Sequence, residues 1–426
     1  MEVTEGISYT TLGELINKHR EQAGLTQSEL ARNAGLSKTA ISMIERGEIK
    51  LPEFMTIKKI ADVLGIEKAE LIEHYVEFEK RPDILQEMLL EAAELSNLQL
   101  VTKIAEKFLE SPRQDTETAL KRLNDLSSTI ADTTIKLSLY KTIVTYSRQR
   151  GVQRYLAKGL LQQYLIERMD LKTLEESFKV GEEILHYTLF LNHDEKLTFY
   201  YRMALHAHNT KKYKQCIELC EAGLAIDTSE TELKARAHLA LIISLSNLNE
   251  YDKVEKNLEL FKNYSYEFVW EAAMLESAIV KSKQKDYDNA IPMLNKCLEE
   301  ISAHSRIHVV NELIEIYLMK GDTEAIAELI NREEEILPAN PTTPYKHLSI
   351  GRYFQYKGAF QLKVGFIDDG IDSFTRSLLV YGKINAYEEI TKCMKEFLSN
   401  CSVYPNYSSV INRLKQVFNS IDVENY

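Results

Sequence analysis

The sequence has few residues that interrupt helices and no long hydrophobic run. Only 8 Pro and 16 Gly occur among 426 residues, and these two residue types are the strongest local breaks in a helical pattern. No apolar stretch approaches the roughly 18 residues that indicate a membrane-spanning helix. Residues 1–10 carry Glu2 and Glu5 and lack the apolar block of a secretory signal. These absences predict a helical, cytoplasmic protein that does not bind a membrane.

Cysteine is sparse, and a basic excess is absent. The five cysteines are scattered through helical patterns, which indicates reduced thiols rather than a disulfide framework. The formal net charge is -12, whereas residues 11–60 hold eight Lys and Arg against six Asp and Glu. A mildly basic segment of this size makes few phosphate contacts, so tight binding to nucleic acid would require a homodimer on two half-sites.

The first 75 residues show the spacing of a small helical bundle. The pattern predicts helices over residues 11–23, 27–33, 38–46, 52–64 and 68–75. Gly24 ends the first helix, and Thr26 with Glu29 forms a capping box for the second. Between the second and third helices, Gly35 permits a tight turn and Ser37 caps the helix that follows.

Residues 27–47 resemble the lambda-repressor-like helix-turn-helix family. Ala31 allows two helices to cross, and Ile41 and Ile44 occupy the packing positions of that motif. The resemblance implies that the third helix lies in the major groove of double-stranded DNA. It assigns base-edge and phosphate contacts to Gln27, Ser37, Lys38, Thr39, Ser42, Met43, Arg46 and Lys50.

Two further features of the motif bear on its use. Arg20 and Glu45 fall where members of the family often carry a buried ion pair joining the first and third helices. Glu48 and Glu53 lie beside the motif and do not favour DNA binding. A helix-turn-helix retained only for protein contacts is therefore the alternative interpretation.

Beyond Pro82 the chain carries an internal repeat. Tyr213, Tyr251, Tyr287 and Thr323 each begin the second helix of a copy, at spacings of 38, 36 and 36 residues. A fifth copy starts at Gly365. These periods are close to the 34 residues of a tetratricopeptide repeat (TPR). The predicted fold is all-α, with an N-terminal lambda-repressor-like helix-turn-helix bundle followed by a TPR-like α-solenoid.

This pattern divides the chain into four segments. We predict a DNA-binding domain over 1–76, a charged linker over 77–82, a peptide-sensing repeat domain over 83–406 and a capping or dimerisation helix over 407–426. A stack of helix pairs lines a concave groove with its first helices. The expected groove residues are Tyr201, Leu205, His208, Asn209, Arg236, Asn247, Asn311, Glu315, Arg352, Gln355 and Tyr356. Asn209 and Asn247 share one repeat position, and an Asn amide suits a peptide backbone because it both donates and accepts.

A helix-turn-helix followed by such repeats resembles the peptide-pheromone receptors of Gram-positive bacteria and their phages, the Rgg, Rap, NprR, PlcR and PrgX group. Residues 309–316, 325–330, 350–358 and 370–374 are most similar to the arbitrium receptors of phages. The resemblance implies a short signalling peptide, used in quorum sensing or in the decision for lysogeny, that alters DNA binding through dimer geometry. Asn209 matches a peptide-contacting Asn of those receptors, whereas Leu205 replaces a second one.

Other functions have weaker support in the sequence. Cys216 and Cys220, with His206 and His208, could be drawn as a zinc site, but the two cysteines fall on packing positions of their helix, where core residues belong. No phosphate loop or nucleophile motif is present, so we expect neither an enzyme nor a cofactor. Two alternatives remain: an adaptor that sequesters or dephosphorylates a response regulator, and a regulator whose repeats serve only oligomerisation.

Overall fold

The computed structural model describes residues 11–338, 340–341, 343–401, 413–416 and 419. All regular secondary structure in these residues is helical, as predicted. Within the same residues, no helix is both long and apolar enough to cross a membrane. The C-terminal helix predicted over 407–426 lies almost entirely outside the described residues.

Five short helices form the N-terminal bundle, close to the predicted limits. Helix α3 begins one residue after Ser37, whose hydroxyl accepts the backbone N–H of Ala40 at 3.1 Å. Leu15, Ile16 and Phe54 are buried in the shared core. The helices are α1 (Leu12–Gln22), α2 (Gln27–Ala34), α3 (Lys38–Glu45), α4 (Phe54–Leu64) and α5 (Lys68–Tyr75).

The chain forms two compact units. Unit 1 contains residues 1–166 and 183–191, and unit 2 contains residues 167–182 and 192–426. The division therefore lies far beyond the segment 77–82, and the functional limits given above remain a prediction. After the bundle come α6 (Pro82–Glu94), α7 (Leu98–Leu109), α8 (Thr116–Thr129), α9 (Thr133–Arg150), α10 (Gln153–Glu167) and α11 (Leu174–Ile184), then a short 3-10 helix over Leu185–Phe190.

The segment between α5 and α6 is held by buried polar contacts within unit 1. The Glu79 carboxylate is buried and accepts the backbone N–H groups of Lys80 and Arg81 as well as the Arg81 guanidinium. Arg81 also donates to the hydroxyl of Tyr75, which donates in turn to the carbonyl of Pro52 at 2.6 Å. This segment is thus fixed to the bundle rather than free of it.

Unit 2 is built from helix pairs that pack in chain order, and its anchors are those read from the sequence. Tyr213, Tyr251, Tyr287 and Thr323 are each the first residue of a second helix. The pairs are α12 (His193–Asn209) with α13 (Tyr213–Ile226), α14 (Glu232–Asn247) with α15 (Tyr251–Phe261), and α16 (Glu267–Lys283) with α17 (Tyr287–Glu300). There follow α18 (Ala303–Lys320), α19 (Thr323–Asn331), α20 (Glu333–Ile336), α21 (Pro344–Lys363), α22 (Ile367–Gly382) and α23 (Tyr387–Cys401).

A left-handed residue marks the turn inside each pair. Lys211, Asn249 and Lys285 have φ of 59°, 61° and 63°, and each stands two residues before the next helix. Gly321 and Gly365 occupy the same place in later copies, with φ of 76° and 92°. Residues other than Gly rarely adopt a positive φ. The repeat is therefore defined by a backbone requirement as much as by its apolar pattern.

Close contact between helices in unit 2 depends on glycines that face tyrosine rings. A Cβ added at Gly351 would lie 2.3 Å from a ring carbon of Tyr381, and one added at Gly223 would lie 2.6 Å from a ring carbon of Tyr201. Both rings are buried. The Tyr381 ring of α22 therefore packs directly on the α21 backbone at Gly351, and no side chain larger than that of Gly fits between them.

We predict that Gly351→Ala destabilises unit 2 by about 1–3 kcal/mol, the usual effect of overpacking a dense core. The measurement is thermal unfolding of the full chain followed by circular dichroism. Replacement of Gly by Ala inside a helix otherwise stabilises it by about 1 kcal/mol. A rise in the unfolding temperature would therefore contradict the tight contact with Tyr381.

Candidate DNA-binding face and ligand cavity

The local sequence sets the geometry of the helix-turn-helix. Thr26 accepts the backbone N–H of Glu29, whose carboxylate accepts the N–H of Thr26, so α2 starts on the predicted capping box. Gly35 ends α2 with φ 68°, a conformation that Gly adopts without strain. Because Ser37 caps α3 directly afterwards, three successive residues fix the angle between the two helices.

A buried carboxylate joins the three helices of the motif. Glu45 accepts the Arg20 Nε at 2.6 Å and the Gln27 Nε2 at 2.8 Å. The side chains of Glu45 and Arg20 are only 4% and 12% exposed. Arg20 also donates to the carbonyl of Leu25 at 2.8 Å. The ion pair expected from the sequence is thus present, and each of its two partners makes a further hydrogen bond.

The residues predicted to contact DNA are accessible. Ser37, Lys38, Thr39, Arg46 and Lys50 are exposed, and Gln27, Ser42 and Met43 are half-buried. Arg46 pairs with Glu48 at 3.2 Å on the surface. The amide nitrogen of Gln27 is taken by Glu45. The contacts of these residues with DNA remain a prediction.

Unit 2 encloses a cavity of about 260 Å³ whose wall is formed largely by the first helices of the pairs. Polar, charged and tyrosine side chains make up most of its lining. The lining includes His208, Lys211, Tyr213, Asn247, Glu276, Lys283, His308, Asn311, Glu312, Tyr345, Arg352, Gln355, Tyr356, Tyr381, Glu389 and Lys392.

Several polar atoms of this wall lack partners in the described part of the chain. Glu276 is 4% exposed, and its Oε2 accepts no hydrogen bond. The Oδ1 of the buried Asn311 is also without a donor, although its Nδ2 donates to the carbonyl of Ser349 at 2.8 Å. Arg352 also lines the cavity; it is exposed, and its guanidinium makes no hydrogen bond or ion pair with the described residues. Buried polar atoms without a partner, such as those of Glu276 and Asn311, are rare in native proteins, and each calls for an explanation.

Among the described residues, the other charged groups of the cavity lining form no ion pair with Glu276. The ammonium of Lys283 lies on the same helix and donates to the Asn247 carboxamide oxygen at 3.0 Å. The pKa of Glu276 is raised to about 7, mainly by burial; Lys283 partly opposes this rise, and the like charge of Glu312 adds to it. Burial also lowers the pKa values of His208 and His308 to about 4, so both imidazoles are neutral near pH 7.

Contacts between distant helices close one side of the cavity. The Tyr345 ring of α21 stacks on His308 of α18 with centroids 4.7 Å apart, and its other neighbour is His208 of α12 at 5.4 Å. Lys211 forms an ion pair with Glu389 of α23. The first and last helix pairs of unit 2 therefore meet around the same polar space.

Comparison with known proteins identifies the N-terminal part. Residues 16–71 match the helix-turn-helix family model. The transcriptional regulator SinR of Bacillus subtilis is 30% identical over 89 residues, which span 20% of this chain and 80% of SinR. The transcriptional repressor RghR of the same organism is 36% identical over 101 residues, 21% of this chain and 73% of RghR. The chain belongs to the helix-turn-helix transcription regulators.

Two solved structures are also similar to this regulator. One is Bacillus thuringiensis PlcR in complex with the peptide PapR7 and DNA, with 15% identity and a TM-score of 0.24, covering 64% of this chain and 99% of PlcR. The other is selenomethionine-labelled phAimR, with 12% identity and a TM-score of 0.38, covering 95% of this chain and 100% of phAimR.

The structure brings some of the predicted groove residues together and separates others. His208, Asn247, Asn311, Arg352, Gln355 and Tyr356 line the cavity, and Glu315 accepts the Tyr356 hydroxyl at 2.8 Å. Tyr201 is buried elsewhere and donates to Asp227 at 2.8 Å. Arg236 lies outside the cavity, where it pairs with Glu232 one turn away and covers the Phe268 ring. Leu205 and Asn209 are half-buried and are not part of the lining.

The sequence reasoning missed the charged residues at the centre of the cavity. Glu276 and Lys283 are seven residues apart on α16, so they share one helix face. This spacing was a usable signal, but α16 was not aligned with the other first helices. Cys216 and Cys220 are fully buried among core residues of unit 2.

We predict that Glu45→Gln loosens the helix-turn-helix, because it leaves the buried Arg20 guanidinium with only the exposed carboxylate of Glu21, 3.9 Å away, as a counter-charge. Loss of one partner of a buried ion pair costs about 3 kcal/mol, so amide hydrogen exchange in α1 and α3 should accelerate by about a hundredfold. Glu48→Gln is the matched control, since an exposed pair contributes less than about 1 kcal/mol. Equal exchange rates in the two variants would show that Glu45 does not join the helices.

Proposed function

We propose that this protein is a sequence-specific DNA-binding transcription regulator controlled by a short signalling peptide held in the unit 2 cavity. The observation that carries the proposal is that one cavity is lined both by acceptor oxygens without donors and by a cationic donor group. Among the described residues, the buried Glu276 and Asn311 offer acceptor oxygens without donors, and the exposed Arg352 places a cationic guanidinium without an ion-pair partner in the same lining.

A peptide satisfies both needs at once. Its backbone N–H groups and any basic side chain donate, while its carbonyl groups and terminal carboxylate accept. Arg352 is suited to a carboxylate because the planar guanidinium binds it through two parallel hydrogen bonds. Asn247 and Gln355 add amide groups to the wall, and such groups recognise a backbone whatever its side chains. The tyrosine rings supply apolar surface between these polar positions.

The DNA-binding half of the proposal rests on the helix-turn-helix. The exposed face of α3 presents Lys38 and Thr39 in its first turn, with Ser42 and Met43 half-buried behind them. A recognition helix contacts base edges with its N-terminal residues. The few basic groups on this face support our proposal that a homodimer binds two half-sites of a double-stranded operator. We also propose the segment 407–426 as the dimerisation element.

We predict that Arg352→Gln weakens peptide capture by about tenfold or more, because a hydrogen bond to a charged group contributes about 1.5–3 kcal/mol. The full chain is immobilised and exposed at pH 8 to a pool of N-acetylated random hexapeptides that lack His. The bound peptides are then quantified by mass spectrometry.

Arg236→Gln is the matched control, since it removes the same charge from an arginine outside the cavity. This variant should capture the same peptides in the same amounts as the unaltered chain. Captured peptides should also change the affinity of the full chain for duplexes selected from a random library. If the unaltered chain captures no peptides, or if the peptides leave DNA affinity unchanged, control by a peptide is refuted.

We predict that Lys38→Ala lowers affinity for the selected duplex by about 1–3 kcal/mol and relaxes the base preference at one position. Fluorescence anisotropy with the selected duplex and with single-base variants measures both effects. Lys121→Ala, at an exposed position on α8, makes the same change in net charge outside the motif. Equal losses in the two variants would indicate a non-specific charge effect instead of base recognition.

A further inference from the structure

The cavity holds a carboxyl group with no permanent counter-charge. Glu276 points into it from α16, is almost fully buried and has an oxygen without a partner among the described residues. A buried carboxylate is stable only when it is paired or hydrogen-bonded, and it otherwise takes up a proton. Without a bound cation, the surroundings of Glu276 therefore favour the neutral acid.

The other titratable groups near Glu276 do not provide its carboxylate with a paired counter-charge. Lys283 from α16 is engaged with Asn247, and Glu312 from α18 carries a charge of the same sign. The titratable and charged groups around it are Lys283 on α16, His308 and Glu312 on α18, Tyr345 and Arg352 on α21, and His208 on α12. Burial keeps both imidazoles neutral above about pH 5 and raises the pKa of Tyr345. Lys211, Glu389 and Lys392 line the cavity as well. Between pH 5 and pH 8, the groups that change charge are therefore buried carboxyls and, near pH 8, Lys211, whose pKa burial lowers to about 8; a variant of Glu276 separates the two effects.

We propose that Glu276 makes ligand binding in this cavity proton-linked: a cationic side chain of the bound peptide displaces the proton from Glu276 and pairs with its carboxylate. This inference rests on the proposed function, since it concerns the same peptide and the same cavity. No covalent bond forms or breaks apart from the O–H bond of the acid, whose proton passes to solvent.

The direction of the pH dependence follows from linkage. The free cavity has a Glu276 pKa of about 7, whereas a bound cation stabilises the carboxylate and lowers that value. The complex therefore holds fewer protons than its separated parts, so affinity for cationic peptides falls as pH decreases. From pH 8 to pH 6 the fall is about tenfold, because the free acid changes from about one-tenth to about nine-tenths protonated.

The first test compares peptide capture at pH 8 and pH 6 by the full chain, with the N-acetylated, His-free hexapeptide pool described above. Acetylation removes the terminal amine, which titrates near pH 7.7–8.0. We expect peptides with Lys or Arg to be enriched at pH 8 and reduced about tenfold at pH 6, with neutral peptides unchanged. Glu276→Gln should abolish both the enrichment and its pH dependence.

Glu312→Gln is the matched control, because Glu312 lines the same cavity but accepts a hydrogen bond from Ser282. Removal of this like charge lowers the pKa of Glu276, so the pH response should persist with its midpoint at lower pH. A response that survives Glu276→Gln and disappears in Glu312→Gln would overturn the assignment to Glu276. Capture of Lys and Arg peptides that is equal at the two pH values would overturn the proton linkage while leaving peptide control intact. Capture of no peptide at either pH would refute both proposals.

A second measurement needs no ligand. The folded-state pKa of Glu276 lies above its unfolded value, so this carboxyl favours folding below about pH 4.5 and progressively loses that effect up to about pH 7. The unfolding temperature of Glu276→Gln should match that of the unaltered chain at pH 5 and exceed it at pH 8. A difference that is constant between these pH values would show that Glu276 is already ionised in the empty cavity and would overturn the inference.

Discussion

Removing a charge from water without giving it a partner is strongly unfavourable, and this constraint explains the contrast between the two parts of the chain. In the helix-turn-helix, Glu45 is buried but bound by Arg20 and Gln27, so the charge stabilises one arrangement of three helices. In unit 2, Glu276 is equally buried, but the part of the chain that the structure describes pairs it with no cation and leaves its Oε2 without a hydrogen bond. The first carboxylate has its hydrogen-bonding and ion-pair partners within its own domain. Among the described residues, the second has an oxygen without a hydrogen-bond partner, and we propose that a ligand supplies that partner.

The cavity exists because the inner helices are brought close at some points and held apart at others. Gly351 allows the Tyr381 ring to pack directly on the α21 backbone, which orients the next residue, Arg352, and the following turn. Tyr345, between His208 and His308, spans the space between the first and fourth helix pairs. Aromatic rings thus set the width of the cavity, while the polar groups between them set its chemistry.

Local signals account for what the sequence could predict. The limits of α2 and α3 follow from a capping box, a left-handed Gly and a Ser cap, all within twelve residues, and the repeat anchors follow from a fixed turn before each second helix. The cavity residues depend on how distant repeats meet, which no local pattern encodes. Arg236 and Arg352 both read as inner-face arginines, yet Arg236 finds Glu232 one turn away and Arg352 has no carboxylate at that spacing.

The distribution of satisfied and unsatisfied groups also constrains how control can act. Because the buried charges of Arg20 and Glu45 are paired with each other, the described residues of the helix-turn-helix offer a signal no unpaired buried charge to act on. A ligand that pairs Glu276 and Arg352 stabilises only those arrangements of unit 2 in which both groups face one cavity, and its free energy of binding is available to favour them over others. A ligand with equal affinity for every arrangement of the helix pairs would shift nothing. Control therefore requires that the groups lining the cavity separate in at least one other arrangement of unit 2. Such a separation would break the contacts that close the cavity, namely those of Tyr345 with His208 and of Lys211 with Glu389.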